Sequence, residues 1–175
     1  MTAFDSLLLR RPLVAAMAAA ALVSAAGARA EPARWLDGQL AIGDSERNYK
    51  LYLPAQTGSG PRPLVVMLHG CGQSPDAFAL STRMNAHADT GQFLVLYPAQ
   101  RFTANPARCW NWFLQRNQAR GSGEPAEIVA LVDHVARQYA VDRQRIYVAG
   151  LSAGATMSAT LAACYPDVFA AAAMV

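Results

Sequence analysis

Ser152 sits in Gly150-Leu151-Ser152-Ala153-Gly154, a G-x-S-x-G pentad whose flanks say more than the pattern itself. Ile146-Tyr147-Val148-Ala149 before it is an apolar run of strand length, and Ala155 to Cys164 after it reads as a helix stopped by Pro166. A hydroxyl on such a strand-to-helix turn is lifted clear of the sheet. It is set at a helix N-terminus, where free N–H groups and the dipole favour developing negative charge. The turn brings neighbouring backbone so close that flanking residues must lack bulk, and Gly150 and Gly154 meet that demand. The chemistry such a serine serves is nucleophilic acyl transfer.

Acyl transfer needs two N–H donors aimed at the carbonyl oxygen as it becomes an anion. One comes from the residue after the nucleophile, here Ala153. The other is expected from the loop after the third strand, where Leu68-His69-Gly70-Cys71-Gly72-Gln73 follows the apolar run Leu64-Val65-Val66-Met67-Leu68. The N–H of Cys71 is the candidate second donor of this oxyanion hole. His69 precedes the serine in the chain and reads as a histidine that fixes the loop rather than as a general base.

Activating Ser152 requires a base oriented by an acid, in the chain order Ser, Asp/Glu, His. The 23 residues after Ser152 hold one acid, Asp167, and no histidine. Asp167 follows Pro166 at a helix end, where a surface role is expected. His87 and His134 fall on helices, away from the strand ends where catalytic side chains gather. Without a base the hydroxyl is a poor nucleophile. The chain as it stands is therefore expected to lack appreciable esterase activity and, with its nucleophile strand near an open sheet edge, to fold weakly.

The elements that must position these groups follow from periodicity. Arg47 to Leu53 alternates, with Tyr49, Leu51 and Leu53 on one face of a half-buried strand. The Gly58 to Pro63 cluster reads as a hairpin loop leading into Leu64–Leu68. Ser74-Pro75 opens one helix ending near Gly91, and Phe93 to Tyr97 is a second buried run. Arg101 to Gly123 is irregular. From Pro125, Ile128, Leu131, Val132, Val135 and Tyr139 repeat at helical spacing. Alternating strands and helices imply an α/β fold with a mostly parallel sheet covered on both faces. Leu64–Leu68, Phe93–Tyr97 and Ile146–Ala149 are expected to be parallel neighbours. Phe169 to Val175 reads as an apolar tail with no strand to follow.

Composition excludes some functions. Three arginines and one aspartate before residue 31 carry +2 of the net charge of +3, so the remainder is nearly neutral and nucleic acid is not an expected partner. Residues 1–30 read as a signal peptide: Arg10-Arg11, then an uncharged Ala-rich stretch from Leu13 to Ala28, then Ala28-Arg29-Ala30 before Glu31. Secretion, extracellular or periplasmic, is expected, with no membrane association after cleavage; an uncleaved anchor is the alternative. Residues 31–175 then form the N-terminal portion of one catalytic domain. In an oxidising compartment, two of Cys71, Cys109 and Cys164 can pair. Cys71 and Cys109, in loops beside motifs, are the candidates, and Cys164 is expected free on a buried helix face. No H-E-x-x-H, zinc-type cysteine spacing or dinucleotide glycine pattern occurs, so no metal or organic cofactor is expected.

Taken together, Leu68-His69-Gly70-Cys71, Tyr97-Pro98, Cys109-Trp110-Asn111-Trp112-Phe113 and the serine pentad carry a resemblance. From Arg47 to Val175 the chain resembles the secreted polyhydroxybutyrate depolymerase-like esterases, which include feruloyl and acetylxylan esterases. The resemblance implies an α/β-hydrolase whose C-terminal strands and helices, with the triad Asp and His, are missing here. It maps Ser152 to the nucleophile and Cys71 to the oxyanion hole. It implies an ester substrate, polymeric in some relatives, with Trp110 and Trp112 near the entrance as substrate-binding aromatics; loop packing is their other reading. Two further classes stay open: a serine peptidase of the prolyl-oligopeptidase type, and a non-catalytic secreted module on the same scaffold.

Overall fold

The computed structural model describes residues 31–43, 45–56 and 59–175. The expected signal peptide and Gly58 lie outside the described residues. The chain runs β1 (Arg34–Ile42), β2 (Ser45–Leu53), β3 (Arg62–Leu68), α1 (Pro75–Thr82), α2 (Met84–Gly91) and β4 (Leu94–Pro98). After a long loop with one 3-10 turn (Gln115–Asn117) come α3 (Gly123–Gln138), β5 (Val141–Gly150), α4 (Ala153–Cys164) and β6 (Ala171–Met174). The sheet order is β1-β2-β4-β3-β5-β6. β4, β3, β5 and β6 are parallel, and β1 and β2 are antiparallel additions at one edge.

The three apolar runs are the parallel centre of the sheet, as their lack of alternation predicted: Leu64, Val66, Leu68, Leu94, Leu96, Ile146 and Val148 are all buried. One face packs on α3 through Ile128, Leu131, Val132 and Val135, and on α4 through Met157 and Leu161. The other face is covered at Met67, Val95 and Tyr97 by Phe78 and Ala79 of α1 and Ala88 of α2.

Three expectations are corrected. The Gly58–Pro63 cluster is not a hairpin loop, because β4 lies between β2 and β3 and the two never pair. A turn cluster signals a reversal and does not choose the neighbour. β1, unpredicted, is the strand that forms the hairpin with β2, from Arg34↔Leu53 to Ile42↔Ser45. The single helix from Ser74 to Gly91 is two helices broken at Arg83, whose φ of 54° is left-handed. There the Thr82 hydroxyl donates to the Phe78 carbonyl at 2.8 Å, and Arg83 N–H closes the turn on Ala79 O at 3.0 Å. Finally, residues 171–174 do not hang free. They pair in parallel with β5, from Tyr147↔Ala171 to Gly150↔Met174, anchored by buried Phe169.

Among the described residues no helix is long and apolar enough to cross a membrane.

Candidate active site

Ser152 sits between β5 and α4 with φ 56° and ψ −118°, a conformation that L-residues rarely occupy. Its own N–H is bound to Val175 O at 2.9 Å, and Gly154 N–H closes the turn on Leu151 O at 2.9 Å. The two glycines make the turn possible: a Cβ on Gly150 would lie 2.3 Å from the carbonyl of Gly154. Ser152 is exposed, and Ala153 is the first helical residue, so its N–H has no acceptor within the helix.

The loop after β3 runs directly alongside this turn. Leu151 N–H donates to Leu68 O at 3.1 Å, and Gly70 faces the Leu151 carbonyl. Gln73 accepts the Gly70 N–H at 2.8 Å, and Gly72, at φ 73°, turns the chain and donates to Ala107 O at 2.7 Å. Among the described residues no acceptor takes the N–H of Cys71. Cys71 and Ser152 thus lie at the same C-terminal edge of the parallel strands.

Cys71 is joined to Cys109 by a disulfide, with Cα atoms 4.2 Å apart. Cys164 is free and half-buried rather than fully buried, its thiol near Gln118 O. The disulfide ties the loop after β4 to the loop after β3, and buried polar contacts finish the job. His69 places Nδ1 on Gly70 O at 2.8 Å and receives Gln100 N–H on Nε2 at 3.1 Å, so Nδ1 carries the proton. Burial lowers its pKa, and the Arg108 and Arg47 charges push the same way. Both nitrogens are occupied by structural bonds, in keeping with a loop-fixing role.

Trp110 does not lie at the entrance. It is fully buried, its indole N–H donating to His69 O at 3.1 Å, with the Arg47 guanidinium 5.5 Å from its ring centre. The loop needs a large core residue there, and that demand sets its position. Trp112 is 38% exposed and meets Phe113 edge-on at 5.8 Å. This half of the expected aromatic pair remains available to a ligand.

Sequence reasoning passed over the residues that hold this loop. Buried Glu124 accepts Asn111 N–H and Nδ2 at 2.8 Å each and Gln100 Nε2 at 2.6 Å. Buried Arg47 donates to Ala99 O at 3.1 Å and Gln100 Oε1 at 2.8 Å, and pairs with Glu127. A signal was present: Arg47 falls on the same face of β2 as Tyr49, Leu51 and Leu53, and an arginine in buried phase must meet partners.

No described histidine is hydrogen-bonded to Ser152. His87 is exposed on α2, and His134 meets Tyr49 edge-on and Gln138 at 2.9 Å. Asp167 is held by Arg120 at 2.5 and 2.8 Å, which draws its carboxyl down to about 2. Among the described residues no group of three or more His, Cys, Asp or Glu side chains could hold a metal ion.

Residues 47–175 match the family model for esterase PHB depolymerase. The chain is 46% identical to poly(3-hydroxyalkanoate) depolymerase C of Paucimonas lemoignei over 63% of its length and 27% of the relative. It is 34% identical to feruloyl esterase B of Neurospora crassa, over 74% of its length and 44% of that protein. Acetyl xylan esterase from Aspergillus awamori superposes with a TM-score of 0.70 at 26% identity, covering 79% of this chain and 51% of that one. The chain thus spans about half or less of these proteins.

Proposed function

This chain belongs to the esterase PHB depolymerase family, and we propose that it carries the nucleophile and oxyanion hole of a secreted serine hydrolase of carboxylic esters. The observation that carries the reading is the backbone of Ser152, held at φ 56° on an exposed strand-to-helix turn against the loop of Gly70 and Cys71. A structural Gly/Ser turn has no use for that strain, whereas a nucleophile needs the exposure it brings.

In this mechanism the Ser152 oxygen attacks the ester carbonyl while a base removes its proton. The carbonyl oxygen becomes an anion and accepts hydrogen bonds from the N–H groups of Cys71 and Ala153. Collapse expels the alcohol, which takes the proton back, and leaves an acyl group on Ser152. Water then attacks that acyl group by the same route and releases the acid. The base and its orienting acid are not assigned to His69, His87, His134 or Asp167, each of which is engaged or placed elsewhere. Substrates of the polyhydroxyalkanoate or plant cell-wall ester type fit the relatives' names, with Trp112 and Phe113 offering an aromatic contact for the chain of the substrate. A panel pairing p-nitrophenyl butyrate with matched p-nitroanilides, run on the full-length protein and on Ser152→Ala, tests the reading. Ser152-dependent ester turnover with amides left intact supports it, and amide cleavage at comparable rates overturns it in favour of a peptidase.

A further inference from the structure

A cleft of about 360 Å³ opens beside the oxyanion loop, with His69, Gln73, Arg101, Phe102 and Arg108 on its wall. Gln73 is the residue that fixes Gly70, and Arg108 immediately precedes Cys109, which is bonded to Cys71. The cleft therefore shares its wall with the loop that offers the Cys71 N–H.

Its charge is one-sided. Arg101 and Arg108 line it, and among the described residues no Asp or Glu does. Arg108 is exposed and forms no ion pair with any described residue. Its backbone is left-handed at φ 52°, in a turn closed by Arg108 N–H on Asn105 O at 2.8 Å and Ala107 N–H on Asn105 Oδ1 at 2.9 Å. Arg101 has Glu127 at 3.7 Å, but that carboxylate is also paired with the buried Arg47. One carboxylate between two guanidinium groups leaves positive charge over, and Arg108 adds to it. Phe102, 62% exposed, supplies an apolar surface on the same wall.

We propose that this cleft is a subsite for a carboxylate borne on the ester substrate, so that half-esters of dicarboxylic acids and oligoesters with a free acid end are bound in preference to neutral esters. Arg108 and Arg101 take the carboxylate, and Phe102 packs on the aliphatic segment between it and the ester. A guanidinium fork suits a planar carboxylate, and two such forks on one wall favour it over a neutral ester.

The inference rests on the hydrolase reading of Ser152, so the two are tested apart. Equilibrium binding of monoethyl adipate and diethyl adipate is measured by calorimetry on the full chain carrying Ser152→Ala, which holds both esters without turnover. The half-ester is expected to bind about tenfold or more tightly at low salt, the scale of one charge-assisted hydrogen bond. Arg108→Gln should bring the two esters within about twofold while Arg108→Lys keeps part of the preference, since the ammonium retains the charge and loses the fork. Circular dichroism confirms that these exposed-site variants stay folded. Equal affinity in the parent chain, or a preference that survives Arg108→Gln and Arg101→Gln together, overturns the subsite. Ser152-dependent p-nitrophenyl butyrate turnover in the full-length protein, without a half-ester preference, leaves the hydrolase reading and removes the subsite. A preference without Ser152-dependent turnover does the reverse.

Discussion

A Cβ on Gly154 would lie 2.1 Å from the carbonyl oxygen of Leu68. The first turn of α4 and the end of β3 therefore touch through backbone alone, which is how the Ser152 turn and the Gly70-Cys71 loop come to share one corner. Gly154→Ala forces these elements apart and is expected to cost about 2–3 kcal/mol, the range for overpacking a tight interior. Ala159→Gly, at an exposed position of the same helix, should cost only about 1 kcal/mol. Urea denaturation of the two variants checks the contrast, and equal losses would mean that the corner relaxes freely.

The disulfide closes a loop with a sequence separation of 38. Loop-closure entropy gives it about 4 kcal/mol against the unfolded chain. Cys71→Ser with Cys109→Ser should lower stability by roughly 2–4 kcal/mol, in the range found when such bonds are removed. Because the bond also ties down the loop of Cys71, the proposed oxyanion donor, ester turnover in the full-length protein should fall by more than the unfolded fraction explains. Turnover that simply tracks the folded population would show that the loop holds its shape without the bond.

His69 sets a pH dependence. Its folded pKa lies below the ordinary histidine value of about 6.5, chiefly because burial penalises the charged ring. Below that value the unfolded chain takes up a proton that the folded chain refuses, so the unfolded state binds more protons and stability falls as pH drops. The slope approaches about 1.4 kcal/mol per pH unit below pH ~6.5 and flattens only at the lower folded pKa. Denaturation midpoints between pH 7.5 and 5, compared with His69→Gln, check it. An unchanged slope in the variant would place the effect on another group.

The two tryptophans of the loop should separate in their effects. Trp110→Phe removes the indole donor to His69 O and strands a buried carbonyl, at a cost of about 1–3 kcal/mol. Trp112→Ala, at a half-open surface site, should change stability by no more than about 0.5 kcal/mol and act on KM for aromatic or oligomeric esters instead. Thermal melts and steady-state kinetics on the full-length protein distinguish the two. A KM unmoved by Trp112→Ala would remove that residue from the substrate path.

The legible parts of the fold were the apolar runs at the centre of the sheet. β4 is buried throughout, and β3 from Leu64 and β5 from Ile146 hold no exposed residue, so each appears as an unbroken apolar run. β1 packs on one side only, through its own Leu36 and Leu40 at the margin of the core, and Asp37, Gly38 and Gln39 between them blur its period. β6 is built largely of alanine, which has little preference for a strand; pairing with β5 makes it one. The break at Arg83 depends on a side-chain hydroxyl closing on the previous turn, and no glycine or proline announces it. Within the site, Ser152, Gly150 and Gly154 stood out because one tight turn dictates all three. Trp110 was misplaced because its partners, the His69 carbonyl and the Arg47 guanidinium, are distant in sequence and joined to it only in the folded chain.

The central claim is that Ser152 is the nucleophile, and covalent labelling tests it most directly. The full-length protein is treated with a fluorophosphonate ester, digested and mapped by mass spectrometry. The account predicts one phosphonylated peptide, containing Ser152, with ester hydrolysis lost in step with its labelling and neither event in Ser152→Ala. A protein that hydrolyses esters while the adduct forms on another residue, or while Ser152 stays unlabelled, would contradict it.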